Sequence, residues 1–189
     1  MALLLLGLAL FFAAHLFPRL RAQRAAVIER FGEGPYKGAF SVVSISALVM
    51  IVLGYQDDAW LASDDFYTPN PERGRAVAHA LMPFAFILVA GANMKSNLKR
   101  FVRHPMSWGV LLWSASHLSA NGELRSVILF GAFGVFAALS MILTSAAGST
   151  PPPPQQPQRK DLILIAAGLV AYVGVIWAHT VVFDVPVAG

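Results

Sequence analysis

Apolar residues gather in six long stretches along this chain, 2–18, 38–56, 74–94, 105–121, 124–146 and 162–183, with short polar connections between them. Each is close to the roughly 20 residues that a helix needs to cross about 30 Å of hydrocarbon. The pattern predicts an all-α, polytopic membrane protein, a bundle of about six transmembrane helices in which the first and fourth spans are short. Almost the whole chain is consumed by these spans, so any chemistry must lie between helices or in the loops at the membrane surface. The apolar run of residues 1–17 lacks a basic segment ahead of it and carries its positive charges behind it, which favours a retained first helix over a cleaved secretion signal.

Composition agrees with the pattern: 57% of residues are apolar and only 13% charged, with a mean hydropathy of +0.62, far from the balance of a soluble domain. Charge adds an orientation, because Lys and Arg accumulate in cytoplasmic loops. Arg19, Arg21, Arg24, Arg30 and Lys37 follow the first span, Lys95, Lys99, Arg100 and Arg103 the third, and Arg159 and Lys160 the fifth. Only Arg73, Arg75 and Arg125 fall on the other side. This split predicts both termini on the non-cytoplasmic side of the membrane. It also accounts for the pI of 9.8 without nucleic-acid binding, which would want an exposed basic surface with stacking aromatics. The absence of cysteine removes disulfides, thiolate ligands and iron–sulfur clusters.

Three connections have character of their own. The first, residues 19–37, mixes bases with Ala25, Ala26, Val27, Ile28 and Phe31, a pattern suited to a helix lying on an anionic leaflet and ended by Gly32-Glu33-Gly34-Pro35. The second, with Asp57, Asp58, Trp60, Asp64, Asp65, Phe66, Tyr67 and Glu72, reads as an interfacial aromatic belt or a small cap on the outer face. The linker at 149–160, with Pro151 to Pro154 and Pro157, reads as a polyproline II tether on the cytoplasmic side.

All five histidines fall in or at the edge of spans, where an ionisable residue is a functional hypothesis by default. At about 1.5 Å of rise per residue, His15 lies roughly 5 Å inside the cytoplasmic face and His104 at its boundary. His117 lies roughly 18 Å from that face, and His79 roughly 8 Å below the outer one, with His179 nearer to it still. The outer half gathers three imidazoles, nominating His79 and His117, with His179 as a third, for a metal or haem site. The bland alternative is a hydrogen bond from each imidazole to a carbonyl or hydroxyl. His117 shares its helix with Ser114, Ser116, Ser119 and Asn121, and Asn121-Gly122 reads as a helix stop. Gly109, Ser116, Gly131, Gly134, Ala137 and Ala138 would let the fourth and fifth spans approach closely. Arg103-His104-Pro105 joins a cationic headgroup-level pair to a proline helix start, which serves equally as an interface anchor or as a contact for an anion or a cofactor carboxylate such as a haem propionate.

The block Arg103-His104-Pro105-Met106-Ser107-Trp108-Gly109 through Trp113, His117 and Asn121-Gly122-Glu123, with Ser126 to Gly131 after it, resembles the NnrU family of bacterial membrane proteins. His15, Arg24, Gly32-Glu33, Tyr36-Lys37 and His179 to Phe183 extend the likeness over most of the chain. The resemblance implies a single NnrU-like transmembrane domain over 1–189, associated with nitrite and nitric oxide metabolism, without an assigned reaction. Its members are also similar to zeta-carotene isomerase, a membrane enzyme that uses haem b on a lipophilic polyene; that likeness implies haem iron ligated by His15 and His117. A cysteine expected three residues before His117 is here Ser114, which cannot act as a thiolate. His15 and His117 differ by roughly 13 Å in estimated depth, so both pairings, His117 with His79 and His117 with His15, stay open.

A weaker likeness is to isoprenylcysteine carboxyl methyltransferases, whose Arg-His-Pro helix start contributes to S-adenosylmethionine binding; no paired glutamates follow Arg125 to complete that motif. The expected partners are membrane lipid and either a lipophilic substrate or denitrification components. The rival class is a non-catalytic assembly factor.

Overall fold

The computed structural model describes residues 2–57, 65–146, 148 and 151–182. The helices are α1 (Ala2–Leu16), α2 (Arg21–Phe31), α3 (Glu33–Tyr55), α4 (Pro71–Asn93), α5 (Leu98–Phe101), α6 (Pro105–Ala120), α7 (Leu124–Ala146) and α8 (Arg159–Val182). A one-turn 3-10 segment, Phe17–Arg19, follows α1. Among the described residues there is no strand, only an isolated bridge between Asp65 and Glu123. Five helices are long and apolar enough to cross a membrane, Ala2–Arg19, α3, α4, α7 and α8. With large apolar side chains exposed along all of them, the chain is an integral, multi-pass membrane protein. The sixth apolar helix, α6, has 16 residues, a rise of about 24 Å, short of the usual spanning length.

The chain divides into two compact units, Met1–Asp64 and Asp65–Gly189. In the first, α1 and α3 run antiparallel in close contact. A Cβ on Gly7 would lie 2.8 Å from the Ile51 nitrogen, and one on Gly54 would strike the Leu4 backbone, so glycine at both positions lets the backbones meet. Leu4 and Ala47 are fully buried at this seam, while Val42, Ile45, Val52 and Leu53 face outward where lipid solvates them. The first connection contains a helix, α2. It stops at Gly32, whose φ of 90° favours glycine. Gly32 alone ends it, because Glu33, Gly34 and Pro35 already belong to α3, five residues earlier than the apolar run begins. Proline is tolerated there because first-turn amides have no helical partner.

In the second unit α4 is central to the packing. Asn70 caps it, its side chain accepting a bond from the Arg73 amide at 2.9 Å, ahead of Pro71. Pro83 interrupts the helix interior and leaves the His79 carbonyl without its usual amide donor. α6 packs antiparallel along α4: a Cβ on Gly74 would meet Ser119 and Ala120, and one on Gly109 would meet Val89 and the Ala85 carbonyl. α8 packs along α4 through Gly168 against Ile87. The α6–α7 seam is closed by Ser114, whose hydroxyl donates to the Phe130 carbonyl at 2.5 Å, and by Gly134, whose absent Cβ leaves room for that hydroxyl. The small residues therefore divide their labour differently from the expectation. Gly109 serves the α4 contact, Gly131 has open space beside it, and Gly134 of α7 receives Ser114 of α6.

The Asn121-Gly122 stop ends α6 as expected, but not by a left-handed turn. Asn121 is extended, with φ −130° and ψ 120°, and Gly122 has no positive φ. Gly122 is required because the backbone of Tyr67 lies on it: a Cβ there would collide with the Tyr67 carbonyl. The Phe66 amide donates to the Gly122 carbonyl at 2.9 Å, and the Tyr67 hydroxyl donates to the carbonyls of Leu118 and Asn121. The aromatic connection thus caps this end of the bundle over residues 65–67. Asp58, Trp60 and Asp64 lie outside the described residues.

Candidate functional site: an intramembrane imidazole pair and a basic cavity

His117 occupies the last turn of α6, and its Nδ1–H donates to the Trp113 carbonyl one turn back at 2.9 Å. Since a carbonyl only accepts, this bond fixes the tautomer and leaves the Nε2 lone pair as the ring's ligand or acceptor position. The i−4 bond is the outer-shell support that ligating histidines generally have. Phe130 of α7 stacks on the imidazole with centroids 4.3 Å apart, and Trp113 lies at 5.0 Å. His179 of α8 is the second imidazole here, its ring centroid 6.3 Å from that of His117. Its Nδ1–H donates to the Val175 carbonyl at 2.8 Å, so both rings are set by the same device.

The other histidines have partners of their own. His79 on α4 is exposed and hydrogen-bonds through Nδ1 to the Tyr172 hydroxyl of α8 at 2.8 Å. His15 belongs to the first unit, where its Nδ1–H donates to the Phe11 carbonyl at 2.8 Å and its ring stacks on Phe11 at 4.0 Å, with Phe40 at 5.2 Å. Within the second unit the ring that meets His117 is His179. The polar residues around His117 turn inward on their own helix. Ser116 donates to the Leu112 carbonyl, Ser119 to that of Ser116, and the Asn121 side-chain amide to that of His117. Ser114 is spent on Phe130.

Among the described residues no three His, Asp or Glu side chains converge as a metal site. A bare ion such as zinc normally takes at least three protein ligands. Haem brings its own equatorial nitrogens and asks the protein for one or two axial groups. Two tautomer-fixed imidazoles beside Phe130 and Trp113 match the number of protein groups that haem asks for.

At the opposite end of α6 a cavity of about 710 Å³ opens. Lys99, Arg100, Arg103 and His104 line it on one side, and the prolines of 151–153 on the other. Pro105 starts α6, and no side chain caps that terminus, so its first amides lack helical partners. His104 Nε2 is 3.0 Å from the Ser145 hydroxyl. Burial, and then the neighbouring Arg103 charge, hold the His104 imidazole below the usual histidine range. Thirteen residues of helix separate His104 from His117, about 20 Å of rise, so the two ends of α6 are distinct places.

The proline linker was read as a tether, and the structure shows it fastened down. The Asn97 amide and side chain donate to the two Asp161 carboxylate oxygens, each at 2.7 Å. The Asn97 side chain also donates to the Gln156 carbonyl and accepts from the Gln156 amide. Arg100 donates to the Pro153 carbonyl at 2.7 Å and Arg103 to that of Gly148 at 2.6 Å. Sequence reasoning missed Asn97 and Asp161 because their partners are mostly backbone groups, which leave no residue signature.

Compared with known families, residues 3–187 match the model described as NnrU protein. No curated protein and no solved structure matches.

Proposed function

The chain belongs to the NnrU family, and from that premise we propose that it is a haem b-binding protein of the bacterial inner membrane in which His117 is an axial ligand. The observation that carries this reading is the imidazole pair: His117 and His179 stand 6.3 Å apart with each Nδ1–H committed to a carbonyl. Neutral imidazole with a fixed tautomer is the form that binds iron. His15, whose Nδ1–H is committed in the same way, is the alternative second ligand. When bound, haem supplies a redox-active iron. His117 and His179 would hold it: the Trp113 and Val175 carbonyls set their rings, and Phe130 and Trp113 keep the surroundings of His117 apolar.

The proposed topology has six crossings, with α6 among them, and both termini outside the cytoplasm. In support, α6 lies antiparallel to α4 with Ser119 beside Gly74 at one end, while Pro105 and Ala92 share a cavity at the other. It therefore runs beside most of the length of α4, a helix of spanning length, which supports counting it as a crossing. The eleven-to-three division of basic residues supports the orientation. The physiological setting proposed is nitrogen-oxide metabolism, with isomerisation of a lipophilic polyene as the other reaction class. Ser114 disfavours the latter, since its hydroxyl is committed to Phe130 and no thiolate exchange is open to it. A second reading, a non-catalytic assembly factor, draws on the fact that each of the five imidazoles has a protein partner.

Absorption spectra of the purified protein, oxidised and reduced, separate these readings. A Soret band in the wild type that His117→Ala abolishes is the expected result. A protein that stays colourless after reconstitution with haem sinks the haem assignment and leaves the assembly factor. Retention of the unaltered band in His179→Ala, together with its shift in His15→Ala, would move the second ligand to His15.

A further inference from the structure

The cavity at the start of α6 is lined by three cations, Lys99, Arg100 and Arg103, and, among the described residues, by no carboxylate. Like charges gathered around one hollow repel each other and are tolerated best when an anion occupies it. Each arginine spends one bond on the linker, Arg100 on Pro153 and Arg103 on Gly148, out of five donors per guanidinium. The Lys99 ammonium is exposed, and the uncapped first turn of α6 adds backbone donors with the positive end of the helix dipole. Arginine forks and helix N-termini are what phosphate oxygens are best matched by. The prolines of 151–153 form a wall that offers no amide hydrogen, so the donors all lie on the α5–α6 side.

The surroundings say where the anion comes from. Phe101 is 84% exposed, and Met106 and Trp108 are 41% and 47% exposed, on either side of the basic residues. Bulky apolar side chains next to Lys and Arg mark the boundary between headgroups and hydrocarbon. Met106 itself lines the cavity, giving an apolar exit toward the lipid. We propose that this cavity binds the phosphate headgroup of an anionic phospholipid, with Lys99, Arg100, Arg103 and the α6 first turn on the phosphate and an acyl chain leaving along Met106 and Trp108. The site is independent of the haem assignment, being about 20 Å along α6 from His117.

The test uses the full chain in detergent, mixed with equal amounts of phosphatidylglycerol and phosphatidylcholine, and reads retained lipid by native mass spectrometry. The wild type is expected to prefer phosphatidylglycerol by about tenfold, the scale of one or two charge-assisted bonds. The preference falls with added salt. Lys99→Gln, on a side chain that is exposed and hence dispensable for folding, reduces it about threefold, and K99Q/R103Q removes it. Arg159→Gln, an exposed cation beyond the cavity lining, leaves it unchanged. A wild type without preference overturns the proposal, and so does a full preference in both Lys99→Gln and K99Q/R103Q, or an equal loss in Arg159→Gln. Inorganic phosphate raising the melting temperature as much as phosphatidylglycerol, in a Lys99-dependent way, would identify a soluble phosphate and overturn the lipid assignment.

Discussion

The two ends of α6 solve opposite problems with one helix. At the Asn121 end the chain closes on itself. Tyr67 lies on Gly122, its single hydroxyl proton is shared between the carbonyls of Leu118 and Asn121, and Ser116 and Ser119 bond within protein. At the Pro105 end the first amides have no side-chain cap and three cations line a cavity of about 710 Å³. A closed end suits groups that must be held in one orientation away from water, such as the His117 and His179 rings. An open, cationic end suits a ligand that arrives from the headgroup layer. The difference teaches that function need not be sought at one place in a small bundle, because a helix about 24 Å long presents two environments.

Substitution at the closed end should produce the largest effect. Gly122→Ala places a Cβ against the Tyr67 carbonyl, a backbone atom that cannot yield, and a loss of about 3 kcal/mol is expected, read as a lowered melting temperature in detergent. Lys99→Ala at the open end should stay within about 0.5 kcal/mol of wild type. Equal losses in the two would erase the contrast between the ends.

Removing Asn97 comes next, since it fastens the linker that walls the cavity. Asn97→Ala deletes the side-chain bonds to Asp161 and to both backbone groups of Gln156, and about 2 kcal/mol of local stability should go with them. Hydrogen exchange at the Gln156 amide reads this directly, and unchanged protection there would show that the arginine contacts alone hold the linker.

Titration of His104 should give the smallest effect, because much of its ring meets solvent. Its folded-state pKa lies below the ordinary 6.5, so the unfolded chain takes up the proton first. The contribution is present above about pH 6.5 and is lost as pH falls below it. His104→Gln should flatten that part of the stability profile while leaving the Soret band in place.

Much of this was legible in the residues and some was misread for reasons that can be named. The apolar runs located the long helices to within a few residues, because hydrocarbon demands length and apolarity from every crossing segment. Arg103-His104-Pro105 announced the start of α6 through the chemistry of proline at a first turn. Gly122 was noticed for the wrong cause: a glycine after a helix suggests a left-handed cap, whereas this one makes room for Tyr67, 55 residues away in sequence. Gly109 was assigned to the wrong neighbour for the same reason, since a small residue shows that something comes close but not which helix it is. The proline run looked like a tether because stiffness is written in its residues, and the carbonyls by which it is fastened are not.

By itself the sequence determined the membrane environment, the long helices, the charge asymmetry and a histidine within the apolar run of α6, because each follows from local composition acting against lipid or water. Only the tertiary structure decided that His179 rather than His79 meets His117 within the second unit, and that Asn97 and Asp161 fasten the proline linker that walls the basic cavity. Such pairings depend on how helices rotate and pack against one another. That choice is made by a few glycine contacts and by side-chain bonds to backbone, neither of which names its partner in the sequence.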